Sequence, residues 1–218
     1  MNIDKIYIIN LKHRLDRKQH MLNELSRNNI TNYEFFEAIC PDISDIITWN
    51  NNYCNHVSNS FSNKLKFVNY QIGCLGCLKS HLEVCRIALK NNYKNILILE
   101  DDTEIIDSLN KLNEYYEQIP ENPDMLYLCG SHLGEKTKIS NNIIKVSGTH
   151  TTGSYIINNK TMKYLVDNIT GYNKEIDVFY AEIIQNKFNC YCVIPHLAKQ
   201  MDGYSDIQQT NVHYKLNV

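Results

Sequence analysis

The sequence predicts an α/β fold, with a mainly parallel sheet covered by helices on both faces. Short apolar runs rich in β-branched residues, such as "KIYIINL" (5–11) and "NILIL" (95–99), have the length and composition of buried strands. Between them lie longer segments whose leucines recur at three- and four-residue steps, the period of a helix face. Strands alternating with helices in this way imply βαβ connections and a sheet buried on both sides. No internal repeat or linker divides the 218 residues, so a single domain over 1–218 is expected.

Taken in order, "KIYIINL" is the first strand, and Leu15, Leu22 and Leu25 with Met21 make the first helix face. "YEFFEAI" (33–39) is a second strand. From Pro41 the chain turns Asn- and Ser-rich with no clear period, which predicts a long loop over 41–70. Gly73 opens a helix marked by Leu75, Leu78, Leu82, Cys85 and Leu89. After the strand at 95–99, Ile105, Leu109, Leu112, Tyr116 and Ile119 predict another helix. "DMLYLCG" (124–130) is a strand ending in glycine. "NIIKVSG" (142–148) and "GSYIIN" (153–158) read as paired strands around a turn at 150–152. Met162, Leu165, Val166 and Ile169 form one helix face, and Ile176, Phe179, Tyr180, Ile183 and Ile184 another. "CYCVI" (190–194) is the closing strand before Pro195.

Bulk properties narrow the function. A net charge of −2 leaves no basic field for nucleic acid, and no apolar run is long enough for a membrane span. The N-terminus enters a strand at once, without the tripartite pattern of a secretory signal, so a cytoplasmic location is expected. The eight cysteines fall largely inside apolar patterns and read as buried free thiols.

The stretch "ILILEDDTE" (96–104) sets Glu100, Asp101 and Asp102 side by side at the end of a buried strand. Adjacent carboxylates repel and need water or a cation to neutralise them. In an open α/β sheet this strand end is where ligands bind. Capping of a helix starting near Glu104 by Asp102 or Thr103 accounts for one of these residues. Three carboxylates suit a hard divalent cation better, since such ions take oxygen ligands.

Five blocks, in order, resemble glycosyltransferase family 25. "IYIINLKHRLDRKQHM" (6–21) is similar to the family's opening strand, Asn-Leu and Arg-rich helix start. "GCLGCLKSHLEVCRIAL" followed by "ILILEDD" resembles its Ser-His helix and acidic strand end. "GSYIINNKTMKYLV", "EIDVFYAE" and "IPHLAKQMDGYSDI" resemble its later elements. The resemblance implies a GT-A type, Rossmann-like fold and a metal-dependent transfer of galactose or glucose from a UDP-sugar, with inversion, to an acceptor hydroxyl. The acceptor it implies is a glycan or a hydroxylysine-type protein, and the cofactor Mn²⁺ (or Mg²⁺).

Site roles follow from the same resemblance. Asp102 and Asp101 would hold the metal, with Glu100 nearby, and a third ligand would come from His196, His150 or Gln200; the 195–200 block is favoured. Asn10, Arg14, Arg17, Ser80 and His81 fall at the donor site, Arg17 ahead of Arg14 because of the "DR" pair. Asp177 is the expected base for the acceptor hydroxyl, with Glu175 and Glu182 as rivals. Gly153 and Tyr155 would line the sugar pocket, while Ser205 and Asp206 would shape the site or clasp the nucleotide.

Other readings compete. Cys74-x-x-Cys77 with His81 has zinc-ligand residue types but no second pair. An aspartyl phosphohydrolase would want Asp-x-Asp-x-Thr, and Glu100 and Thr103 break that spacing. A non-catalytic binding or scaffolding protein that retains the transferase fold is the non-enzyme alternative.

Overall fold

The computed structural model describes residues 2–214. The first half comprises β1 (Lys5–Asn10), α1 (Leu15–Arg27), β2 (Tyr33–Glu37), α2 (Ile43–Trp49), a 3-10 turn (Asn55–Ser60), α3 (Lys64–Lys90), β3 (Asn95–Glu100), β4 (Thr103–Ile105) and α4 (Lys111–Tyr116). There follow β5 (Met125–Tyr127), β6 (Ser131–His132), β7 (Lys136–Lys138), β8 (Ile143–Val146), β9 (Thr149–His150), β10 (Ser154–Asn158) and α5 (Asn159–Asn168). α6 (Ile176–Phe179) continues through a π-helical turn (Tyr180–Ile184) into α7 (Gln185–Lys187). The chain ends with β11 (Cys190–Val193), β12 (Ala198–Gln200), β13 (Gly203–Ser205) and β14 (Thr210–Val212).

Eight strands form one sheet in the order β2-β1-β3-β10-β5-β11-β8-β7. Only β10 and β8 run against the others, so the sheet is mainly parallel, as the sequence predicts. Its central strands are buried on both faces. Along β3, Ile96 and Ile98 enter the core under α3, α5 and α6, while Leu97 and Leu99 enter the core under α1 and α4. β1 splits likewise, with Tyr7 and Ile9 on the first face and Ile6 and Ile8 on the second. Complete burial of such a side chain contributes about 1.5–3 kcal/mol. Among the described residues, no helix is long and apolar enough to cross a membrane.

Several expectations are corrected. The segment 41–70 is not a loop. Asp42 caps α2 by accepting from the Ser44 and Asp45 amides, Asp45 reaches back to the Asp42 amide, and the 3-10 turn follows. α3 begins at Lys64 rather than Gly73, with the Asn63 side chain accepting from the Lys66 amide. Both Gly73 and Gly76 therefore lie inside this helix. A Cβ at Gly76 would come 2.7 Å from the Ile39 carbonyl oxygen, so a glycine lets the helix approach the end of β2.

The predicted helix over 105–119 shrinks to α4, because Thr103–Ile105 pair with β12 instead. Helix capping by Asp102 or Thr103 falls with it. The runs at 142–148 and 153–158 do not pair with each other; β8 joins β11 and β7, and β10 lies between β3 and β5. Within α1, Met21 and Leu25 are buried but Leu15, at the first turn, is 70% exposed.

Candidate active site

The side-to-side alternation of β3 distributes the three acids. Glu100 follows Ile98 towards α3, where it accepts from His81 Nε2 at 3.2 Å and Thr152 Oγ1 at 2.5 Å. Asp101 follows Leu99 to the other face and accepts from Asn10 Nδ2 and from Arg17, both at 2.8 Å. Asp102 lies beyond the strand end. Arg17 stands 3.5 Å from its Oδ2, while its buried Oδ1 has no hydrogen-bond partner.

Pairing of β4 with β12 sets Gln200 opposite Thr103, next to Asp102, and the Met201 amide donates to the Asp102 carbonyl at 2.8 Å. The Gln200 side chain lies close enough to draw the Asp102 carboxyl downward, and its buried Oε1 has no partner. Two buried oxygens thus lack a donor within the protein, and a cation would satisfy such oxygens.

Electrostatics agrees with that geometry. Burial, helped by Glu100 and Asp101, pushes the Asp102 carboxyl up to about 7, against the opposing pull of Arg17 and Gln200. Burial also pushes Glu100 upward, but the His81 and Thr152 hydrogen bonds and the His81 charge outweigh it and hold Glu100 below its ordinary value. For Arg17, desolvation is overcome by its bond to Asp101 and the nearby Asp102 charge, which keep the guanidinium firmly protonated. Two negative centres are therefore neutralised by the protein and the third is not.

These acids open into a cleft of about 560 Å³. Of the sequence-predicted residues, Arg17, Ser80, His81, Glu100, Asp101, Asp102, Asp177, Gln200, Ser205 and Asp206 line it. Asp177 lines the cleft from the start of α6. Its Oδ2 lies 3.6 Å from His150 Nδ1 and accepts from the Thr151 amide at 3.3 Å. The neighbouring Asp177 carboxylate raises His150 above its ordinary value. Beside it, Glu175 accepts from Tyr70 at 2.7 Å and faces His56 at 3.2 Å. Glu182, on the surface, bonds Tyr172 and Lys174.

Several predicted residues make their contacts within the protein. Arg14 clasps Asp16 with two nitrogens and binds Asp206, tying α1 to the turn after β13. Asn10 holds Asp101 from behind. Tyr155 is fully buried; its hydroxyl joins His81 Nδ1 at 2.8 Å and Tyr180 at 2.9 Å, so it fixes the His81 ring instead of lining a sugar pocket. The Gly153 carbonyl accepts from the Glu100 amide and the Thr103 hydroxyl, and its missing Cβ leaves room for Gln200. Ser80 donates to the Gly76 carbonyl and accepts from the Ile39 amide, both within the protein. Ser205 accepts from the Gln208 amide.

His196 is corrected as a ligand for the acidic site. It faces His132 and Cys192 and does not line the cleft; Gln200, from the same block, does. His150 likewise belongs to Asp177. The zinc reading of Cys74, Cys77 and His81 divides, because Cys74 groups with Cys54 and Glu175 while Cys77 and His81 group with Glu100. The sequence reading missed Thr152 and Tyr70. Tyr70 lay hidden in the presumed loop, although it stands four residues before Cys74 and belongs to the same helix.

The family model described as "Glycosyltransferase family 25 (LPS biosynthesis protein)" matches residues 3–180. A Haemophilus influenzae protein named "Putative glycosyltransferase" is 28% identical over 191 residues, covering 84% of this chain and 63% of that protein. "Procollagen lysyl hydroxylase and glycosyltransferase" of Acanthamoeba polyphaga mimivirus is 25% identical over 222 residues, covering 90% of this chain and 25% of that protein. The chain thus spans less than two thirds of either relative. Among solved structures, A197 from STIV aligns over 100% of this chain and 96% of its own, at 13% identity and a TM-score of 0.45, too loose a likeness to carry an argument. The family match ends before the 195–206 block, whose place at the cleft rests on the β4–β12 pairing and the hairpin of β13 and β14.

Proposed function

The chain belongs to glycosyltransferase family 25, and on that premise we propose that it transfers a hexose, galactose or glucose, from a UDP-sugar to an acceptor hydroxyl with inversion. The observation that carries this reading is the buried, unpartnered Asp102 Oδ1 beside the unpartnered Gln200 Oε1. Asp102 and Gln200, with Asp101 behind them, are the residues that would hold Mn²⁺ or Mg²⁺. Bound there, the ion supplies Lewis-acid neutralisation of the leaving diphosphate.

The remaining work falls to the chain's own side chains. Arg17 and Asn10 fix Asp101, so the acidic strand end keeps its shape as charge changes beside it. His81, held by Tyr155, does the same for Glu100. Asp177, at the start of α6, is the group that takes the acceptor hydroxyl proton as that oxygen attacks the anomeric carbon. His150, 3.6 Å away, orients Asp177. A glycan or a hydroxylysine-type side chain is the proposed acceptor class; a relative bearing a lysyl hydroxylase name supports keeping the second.

The test is a screen of UDP-sugars with Mn²⁺, reading released UDP and product mass. Turnover of UDP-galactose or UDP-glucose is expected. Metal-linked UDP binding without turnover of any donor would instead favour the non-catalytic, scaffolding alternative.

A further inference from the structure

A second cluster of metal-ligating groups lies outside the cleft. His132 on β6, Cys192 on β11 and His196 in the segment leading to β12 place one ligand atom each within 4.8 Å of one another. All three are buried: His132 is 6% exposed, His196 7% and Cys192 0%. Packed histidines ordinarily satisfy both ring nitrogens, yet the Nε2 atoms of His132 and His196 are both buried without a partner. The rings lie 5.7 Å apart at 64°, an arrangement in which two imidazoles converge without stacking. His132 Nδ1 bonds Thr149 Oγ1 at 2.7 Å, which fixes the ring and leaves Nε2 as the free nitrogen. Metal-binding histidines are held in this way by an outer partner.

We infer that His132, Cys192 and His196 form a binding site for a zinc-class dication, ligated by two imidazole nitrogens and a thiolate. Imidazole and thiolate donors select zinc over magnesium, calcium or manganese. Three protein ligands leave the fourth tetrahedral position to water. On binding, the Cys192 thiol gives its proton to solvent and its sulfur bonds the metal, so no oxidation state changes.

The other two clusters are less suited. His81 has both nitrogens engaged, by Tyr155 and Glu100, and the third group has no histidine; there Tyr70 donates to Glu175 Oε1 and only Glu175 Oε2, 3.2 Å from His56, lacks a hydrogen bond. The three ligands of the proposed site come from three separate elements, and His196 opens the segment that delivers Gln200 to Asp102. A metal here pins that segment to the main sheet. The inference stands independently of the transferase reading.

The experiment adds Co²⁺ to the full chain after chelator treatment and reads thiolate-to-cobalt charge-transfer absorption in the near ultraviolet. One equivalent is expected to develop the band. The band is expected to persist in Asp102→Asn and Cys77→Ser and to vanish in Cys192→Ser. Thr149→Val, which keeps all three ligands, is expected to weaken Zn²⁺ binding by about 10–100-fold in a competition titration. If Cys192→Ser does not fold, His132→Gln and His196→Gln replace it, each expected to weaken binding by about 10-fold or more. Absence of the band in the parent chain, its survival in Cys192→Ser, its loss in Cys77→Ser, or undiminished Zn²⁺ affinity in both histidine variants overturns the site.

Discussion

The two carboxylate-bearing walls of the cleft differ in how their charge is managed. At the end of β3, Glu100 and Asp101 are each locked by two neighbours, while Asp102 is buried, crowded by like charge and left with a free oxygen. At the start of α6, Asp177 is half-buried and rests against a titratable partner, His150. Rigid, undercompensated negative charge suits holding a cation. A carboxylate paired with an imidazole and open to the cleft suits moving a proton. Under the proposed function, the β3 acids bind and Asp177 transfers.

The sharpest way to break this contrast is to neutralise one acid on each wall. Asp177→Asn should lower kcat by about 10²–10⁴-fold, the range for loss of a general base, while UDP binding is retained. Asp102→Asn should lower activity by about 10²–10³-fold, as loss of leaving-group stabilisation does, and should lose metal-linked UDP binding as well. Steady-state kinetics beside UDP titrations separates the two outcomes. If both variants lose UDP equally, the walls do not divide the labour.

Stability against pH sharpens it further. The folded chain holds the Asp102 proton more tightly than the unfolded chain does, with the carboxyl moved from 3.8 to about 7. Unfolding free energy of the metal-free protein should therefore fall as pH rises through that window, and Asp102→Asn should flatten the fall. Glu100, held below its ordinary value, acts in the opposite sense and at lower pH, where acidification removes its contribution. His150 is raised by Asp177, so its contribution is present below pH 6.5 and is lost as pH rises through its folded value. His150→Gln should cost stability at pH 5.5 and little at pH 9, as denaturant melts would report.

The smallest expected effect concerns Gln200. A Cβ on Gly153 would meet Gln200 Cγ at 2.8 Å. Gly153→Ala should therefore displace the Gln200 side chain and weaken metal-dependent UDP binding by about 10-fold, a single hydrogen-bond's worth, with the fold retained. Calorimetric titration of UDP at fixed Mn²⁺ measures it.

Much of this contrast was legible in the sequence. Periodicity gave the central strands, because strands buried on both faces are continuous apolar runs, and the acids announced themselves by ending one. What stayed hidden depended on long-range pairing. Nothing local marks Gln200 as the neighbour of Asp102; the β4–β12 ladder does that, and it also turns 103–105 from an expected helix into a strand. His196 and Gln200 are separated by four positions, yet they serve opposite sides of that segment. The 41–70 stretch misled because its Asn and Ser residues read as loop, whereas Asp42 and Asn63 cap helices there.

The central claim is that Asp102, with one buried oxygen left unpartnered, serves a metal that binds the donor's diphosphate. Thermal unfolding with UDP, with and without Mn²⁺, tests it on the parent chain and on Asp102→Asn. The account predicts that UDP raises Tm only when Mn²⁺ is present, and not in the variant. An equal rise without metal, or in Asp102→Asn, would contradict it.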